Sequence, residues 1–311
     1  MNFTTTMTIS AALILGLATA CVDDRVDVAD SNPTLEELLE QIAAEGLGDA
    51  PASDDGSDFE ANFAGGEGSE CELQPGGLSC NGLVPEMLTA AQPDLARLAE
   101  RRLALGTGLG DVAHILAPEV THLMGGTTAG RRTLAYAFAC ALGSDDRVAV
   151  IDHTGASHEY RGRLGVAREW LHRPLTSDSQ RALSACILAH VNETGATVVL
   201  SVRDYAQIGT TEEEVAKFPY YEATFYGDLF SATPAMYVCS GSQAPSELAS
   251  SDRDLRRCSE AADGDPTRSR CGFTLVGACS EVCDASVEGS YQGCRSGDGQ
   301  RFEATASAWL R

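Results

Sequence analysis

Asp152, His153, Ser157, His158 and Glu159 fall within eight residues, and these are side-chain types that general acid–base and nucleophilic catalysis employ. Their spacing works against a joint role. Neighbouring side chains on a strand point to opposite faces, so Ser157 and His158 cannot converge if the segment is extended. The sequence therefore predicts a polar hairpin tip. Gly108-Leu109-Gly110-Asp111-Val112-Ala113 matches G-x-G-x-x-A, whose glycines admit a pyrophosphate at a helix N-terminus. It follows a helix-like run rather than a strand, which favours a plain turn and helix cap, and no cofactor is expected. The chain holds no G-x-S-x-G, H-E-x-x-H, Walker or EF-hand sequence.

Cysteine offers a second chemistry, and the chain has 11. Cys21 follows an apolar run, Ile9 to Ala18, and the small-residue stretch Ala18-Thr19-Ala20. The run is too short for a permanent membrane span, and alanines suit a signal-peptidase pocket. The arrangement resembles the bacterial lipobox, in which the cysteine is acylated and heads the mature protein. Residues 1–20 then form a signal peptide, and Cys21 is the lipidation site. Ala18-Thr19-Ala20 also fits ordinary secretion; both readings predict export.

The ten other cysteines are Cys71, Cys80, Cys140, Cys186, Cys239, Cys258, Cys271, Cys279, Cys283 and Cys294. An even number in an oxidising compartment reads as a disulfide framework. Cys140 and Cys186 each lie in the buried stripe of a strongly apolar helix, so they are expected to pair, as are Cys71 and Cys80. Cys279 and Cys283 also have the spacing of a zinc-ligating pair. No second pair of that spacing follows, and no metal is expected.

The elements that must position these groups begin after an acidic segment. Residues 22–70 carry 15 Asp and Glu against Arg25 alone, too much charge and too little apolar surface to offset chain entropy. Residues 21–70 are therefore expected to be a disordered tether. Thr34-Leu35-Glu36-Glu37 resembles a capping box ahead of a marginal helix. Residues 71–311 are long enough for a disulfide-bonded domain with its own core, with a possible subdivision near 235.

Within the domain, a helix is expected after Pro93 and Asp94, with Leu95, Leu98 and Leu105 on its apolar face, and another over Val112, Ile115 and Leu116. Thr128 to Leu142 reads as a buried helix. Arg147–Asp152 and His158–Arg163 read as a hairpin. Ser177-Asp178-Ser179-Gln180 is expected to cap a helix buried through Leu183, Cys186, Ile187 and His190 or Val191 and closed by Gly195, followed by a strand over 196–202. The predicted class is α+β, with a helical N-terminal half packed with short strands and a disulfide-rich C-terminal third.

Phe218 to Phe230 holds six of the chain's 19 aromatic residues. Tyr220, Tyr221 and Tyr226 are candidates for a binding surface, because rings supply area and hydroxyls supply direction. Packing into the core is the competing expectation. Arg161, Arg163, Arg168 and Arg173 form a basic stretch in a chain of net charge −23. They suit a solvated face or internal ion pairs, and no nucleic-acid partner is expected.

Ala182 to Arg203 (ALSACILAHVNETGATVVLSVR), Phe225 to Phe230 (FYGDLF), Tyr237 to Gly241 (YVCSG) and Cys271 to Cys283 (CGFTLVGACSEVC) resemble a family of exported proteins and lipoproteins from GC-rich soil bacteria. The likeness spans about the second half of the chain, and what it implies is limited to export and disulfides. The functional expectation is a lipid-anchored envelope or surface protein of binding or structural character, placed at the outer membrane. Its partners would be the membrane, through the lipid, and an envelope or extracellular ligand. The alternative is an exported hydrolase with a site built from scattered His and carboxylate groups.

Overall fold

The computed structural model describes residues 78–103, 112–115, 127–151, 155–203, 208, 210–241, 254–287 and 290–311. The expected signal peptide, Cys21, the acidic tether and its marginal helix, Cys71, Leu105, the Gly108 turn, Asp152 and His153 lie outside the described residues.

In chain order, β1 (Leu78–Asn81) leads to α1 (Pro85–Ala99), and β2 (Val112–Ile115) precedes α2 (Thr128–Ala141). The hairpin of β3 (Arg147–Ile151) and β4 (Ser157–Arg161) follows. Next come α3 (Ser177–Ala189), β5 (Val198–Arg203), the short α4 (Glu212–Lys217), β6 (Tyr220–Asp228) and β7 (Ala235–Ser240). The remainder comprises β8 (Ala261–Ala262), β9 (Asp265–Ser269), β10 (Thr274–Ala278), α5 (Cys279–Val282), β11 (Asp284–Val287), β12 (Ser290–Gln292), β13 (Cys294–Arg295), β14 (Arg301–Phe302) and β15 (Ala306–Leu310). This is the expected α+β class.

An eight-stranded mixed sheet runs in the order β1-β5-β15-β6-β7-β10-β9-β8. Only β7 and β10 pair in parallel within it. A separate three-stranded sheet has the order β2-β3-β4. The large sheet continues from β6 into β7 across position 235. Position 235, where a subdivision is expected, opens a strand of this ladder.

Side-chain alternation gives the large sheet two different faces. Phe225 of β6 and Val238 of β7 are register partners and belong to the main core, which α3 covers. Tyr226 and Cys239 fall on the other face, where they pack with Cys279, Cys283, Cys294 and Phe302 in a second, smaller core. Gly227 sits in β6 at a φ of 149°, and a Cβ there would overlap the Ala235 carbonyl, so the hairpin closes only with glycine.

From Leu134 onward the α2 helix is apolar on every side, and the chain is buried there as far as Leu142. Thr127 caps its start by accepting from the Gly130 N–H at 3.0 Å. At its other end the orphan carbonyls of Ala139, Cys140 and Ala141 accept from the backbone of residues 163–167. That bonding fixes the chain after β4 against the helix.

Three local expectations need correction. The first helix starts at Pro85, well before Pro93, which lies inside it. Proline at the first helical turn costs nothing, and burial of Leu88, Leu95 and Leu98 offsets the bond that Pro93 forfeits. Residues Val112–Ile115 form a strand, not a helix, because β3 offers a parallel partner for its backbone. The cap of α3 is Thr176 rather than Ser177, with its hydroxyl accepting from the Ser179 N–H at 3.2 Å. Among the described residues, no helix is long and apolar enough to cross a membrane.

Candidate functional site

The sulfur atoms and the aromatic segment meet on the second face of the sheet. Cys239 of β7 is bonded to Cys279 at the head of α5, and Cys283 just beyond α5 is bonded to Cys294 of β13. The Sγ atoms of Cys239 and Cys283 belong to different bridges and lie 3.6 Å apart. Cys239, Cys279 and Cys294 are at most 1 % exposed, and Cys283 is 8 % exposed.

One tyrosine hydroxyl reaches this sulfur cluster. The Tyr221 hydroxyl donates to Cys279 Sγ at 2.8 Å and lies 2.6 Å from Thr224 Oγ1, which in turn is 2.7 Å from Ser307 Oγ. The Tyr221 ring packs against Trp309 and Tyr291, with centroids 5.1 and 5.5 Å away. Burial raises the Tyr221 hydroxyl far above the usual phenol range, so it stays protonated and able to donate. Tyr226 stacks on Tyr237 at 5.5 Å and donates to the Arg295 carbonyl at 2.8 Å.

The aromatic segment is therefore mainly packed structure. Tyr226 is fully buried, which overturns its expected place in an exposed binding surface. Its ring is needed to fill the space between the sheet and the bridge-rich strands beyond it. Tyr220 and Tyr221 are partly buried, the first against the main core and the second against the smaller one. A bulge at Glu222 explains the grouping: β15 pairs Ala308 with Ala223 and the next residue, Trp309, with Tyr221. This breaks the two-residue alternation, so Tyr221 joins Tyr226 on one face.

A second buried cluster surrounds the Cys140–Cys186 bridge, the pairing expected from the two helices; its Cα atoms are 6.0 Å apart. His190 caps α3, and its Nδ1 is 2.7 Å from the Cys186 carbonyl and 3.7 Å from Cys140 Sγ. The carbonyl can only accept, so Nδ1 carries the proton. Burial pushes the His190 imidazole down to about 4, assisted by the charges of Arg256 and Arg163 and opposed by the bond to Cys186. Tyr136, with its ring 5.5 Å from His190, is raised by burial to about 12, against the opposing charge of Arg132.

Arg256 completes this region. Its side chain is 0 % exposed, its Nε donates to Glu222 Oε2 at 2.7 Å and its Nη2 donates to the Ala189 carbonyl at 3.0 Å. A fourth bridge among the described residues, Cys258–Cys271, begins two residues after this arginine. Neither Arg256 nor Glu222 was identifiable from the sequence, because they are 34 residues apart and sit in no motif.

The other sequence candidates are dispersed. Ser157 is exposed and His158 half-buried, opposite Ile151 and Val150 on successive rungs of the β3–β4 hairpin. Arg168 forms two bonds to Asp146, at 2.9 and 3.2 Å, and Arg161 lies 3.8 Å from Glu159. Cys279 and Cys283, considered as a zinc pair, are each held in a disulfide. Cys80 lies in β1, opposite Val199 of β5; its expected pairing with Cys71 falls outside the described residues. Comparison of the chain with protein-family models, with curated proteins and with solved structures finds no match.

Proposed function

We propose that this chain is an exported bacterial envelope protein, anchored in a membrane by an acyl group on Cys21 and presenting a disulfide-bonded domain on the acidic segment 21–70. The domain's task in this reading is binding or structural support. The observation that carries it is the four bridges among the described residues, Cys140–Cys186, Cys239–Cys279, Cys258–Cys271 and Cys283–Cys294. Such a density of bonds joining separate elements suits a compartment that oxidises thiols. If Cys71 and Cys80 also pair, Cys21, beside the small residues Ala18 and Ala20, is left over for a separate fate. The acidic segment would hold the domain off an anionic membrane surface by charge repulsion.

Cys21→Ser tests the anchor. The natural protein should partition into the detergent phase on cloud-point separation, and the serine variant into the aqueous phase. Identical partitioning of the two would overturn the lipid assignment and leave simple secretion in its place.

A further inference from the structure

We propose that Cys239, Cys279, Cys283 and Cys294 form one thiol–disulfide exchange unit, in which Cys283, once released from Cys294 by an external dithiol, attacks Cys239 and displaces Cys279. Three separate features of the cluster support this. The attacking and accepting sulfurs are already in van der Waals contact across the two bridges, 3.6 Å apart. The point of attack from outside is Cys283, the one sulfur-bearing residue of the four with more than 1 % exposure. The sulfur that must leave, Cys279 Sγ, is the one that receives a hydrogen bond from Tyr221.

That last contact matters because exchange accelerates when the departing thiolate is stabilised. A tyrosine hydroxyl has one proton to give. Ser307, Thr224 and Tyr221 stand in a line ending at the sulfur. If each hydroxyl donates to the next, Tyr221 accepts from Thr224 and spends its own proton on Cys279. The chain of donors also strengthens the final bond. Burial keeps the Tyr221 proton in place over the pH range where thiolates form.

The reaction balances in two stages. An external dithiol attacks Cys283 Sγ and its second thiol resolves the mixed disulfide; the dithiol is oxidised, while Cys283 and Cys294 are reduced to thiols. Deprotonated Cys283 then forms a bond to Cys239 Sγ as the Cys239–Cys279 bond breaks. Cys279 departs as a thiolate and takes up a proton. The second stage conserves the number of disulfides and leaves Cys239–Cys283 bonded, with thiols at Cys279 and Cys294. The unit thereby accepts electrons at the least buried of its four cysteines and relocates the remaining bridge inward.

The test begins with the intact oxidised protein, treated with less than one equivalent of dithiothreitol, trapped with N-ethylmaleimide and mapped without reduction. Cleavage at Glu281 separates Cys279 from Cys283. A Cys239–Cys283 cross-link with label on Cys279 and Cys294 is expected. Label confined to Cys283 and Cys294, with Cys239–Cys279 intact, would overturn the proposal. Cys294→Ser provides an independent route, since it leaves Cys283 without its partner from the start. Label should then be shared between Cys279 and Cys283, and adding Tyr221→Phe should slow labelling of Cys279 by about tenfold. Label on Cys283 alone would again refute the exchange, and an unchanged rate in the phenylalanine variant would remove Tyr221 from it. Should the serine variant not fold, the partial-reduction map decides the question.

Discussion

His190 makes the stability of the domain depend on pH through a single buried imidazole. Its imidazole is held neutral in the folded protein down to about pH 4, against an ordinary value of 6.5 in the unfolded chain. The unfolded chain therefore takes up this proton first as the pH falls. The stabilisation is complete above pH 6.5 and is lost progressively down to about pH 4. A gap of about 2.5 pH units at about 1.4 kcal/mol each gives a loss of about 3 kcal/mol. His190→Gln keeps a donor for the Cys186 carbonyl and removes the titration. Urea unfolding followed by tryptophan fluorescence, repeated between about pH 7.5 and pH 4.5, should show natural protein losing about 2–3 kcal/mol more than the variant. Parallel curves for the two proteins would refute the reasoning, because carboxylates titrate equally in both.

Three further outcomes are expected. Replacing Cys140 and Cys186 together by alanine should lower stability by about 4 kcal/mol, the chain-entropy value for a bridge spanning 46 residues, and an unchanged denaturation midpoint would contradict it. Tyr226→Phe should cost about 1 kcal/mol for the lost bond to Arg295, and Tyr226→Ala about 3–5 kcal/mol, both read by thermal melting. Equal small effects would show that the ring is not core. Glu222→Gln should cost about 3–5 kcal/mol by leaving the buried Arg256 charge unpaired, whereas Glu222→Leu with Arg256→Met should cost less than that single change. A double variant at least as damaged as the sum of its parts would argue against a coupled pair.

The parts of this fold that were legible in the sequence are those set by local pattern. The all-round apolar run of Leu134 to Leu142 and the cap signals before Leu183 specify helices from neighbouring residues alone. Bonding of Cys140 to Cys186 follows, because each was already assigned to a buried helical face. What eluded local reading depends on long-range partners. Val112–Ile115 has helical spacing but extends because β3 pairs with it. The helix through Pro93 survives on burial that its own composition does not disclose. The sulfur cluster needs the bulge at Glu222 to aim Tyr221, and no period-two pattern reports a bulge.

The placement of β15 has a consequence for how the chain is made. It lies between β5 and β6, hydrogen-bonded to both, so the two halves of the large sheet share no ladder until residues 306–310 have arrived. Emerging from a ribosome, the chain would deliver β5 more than a hundred residues before the strand that covers its open edge. Until then both halves present unpaired backbone, which favours chaperone binding and invites association with other chains. Late closure of this kind makes folding slow.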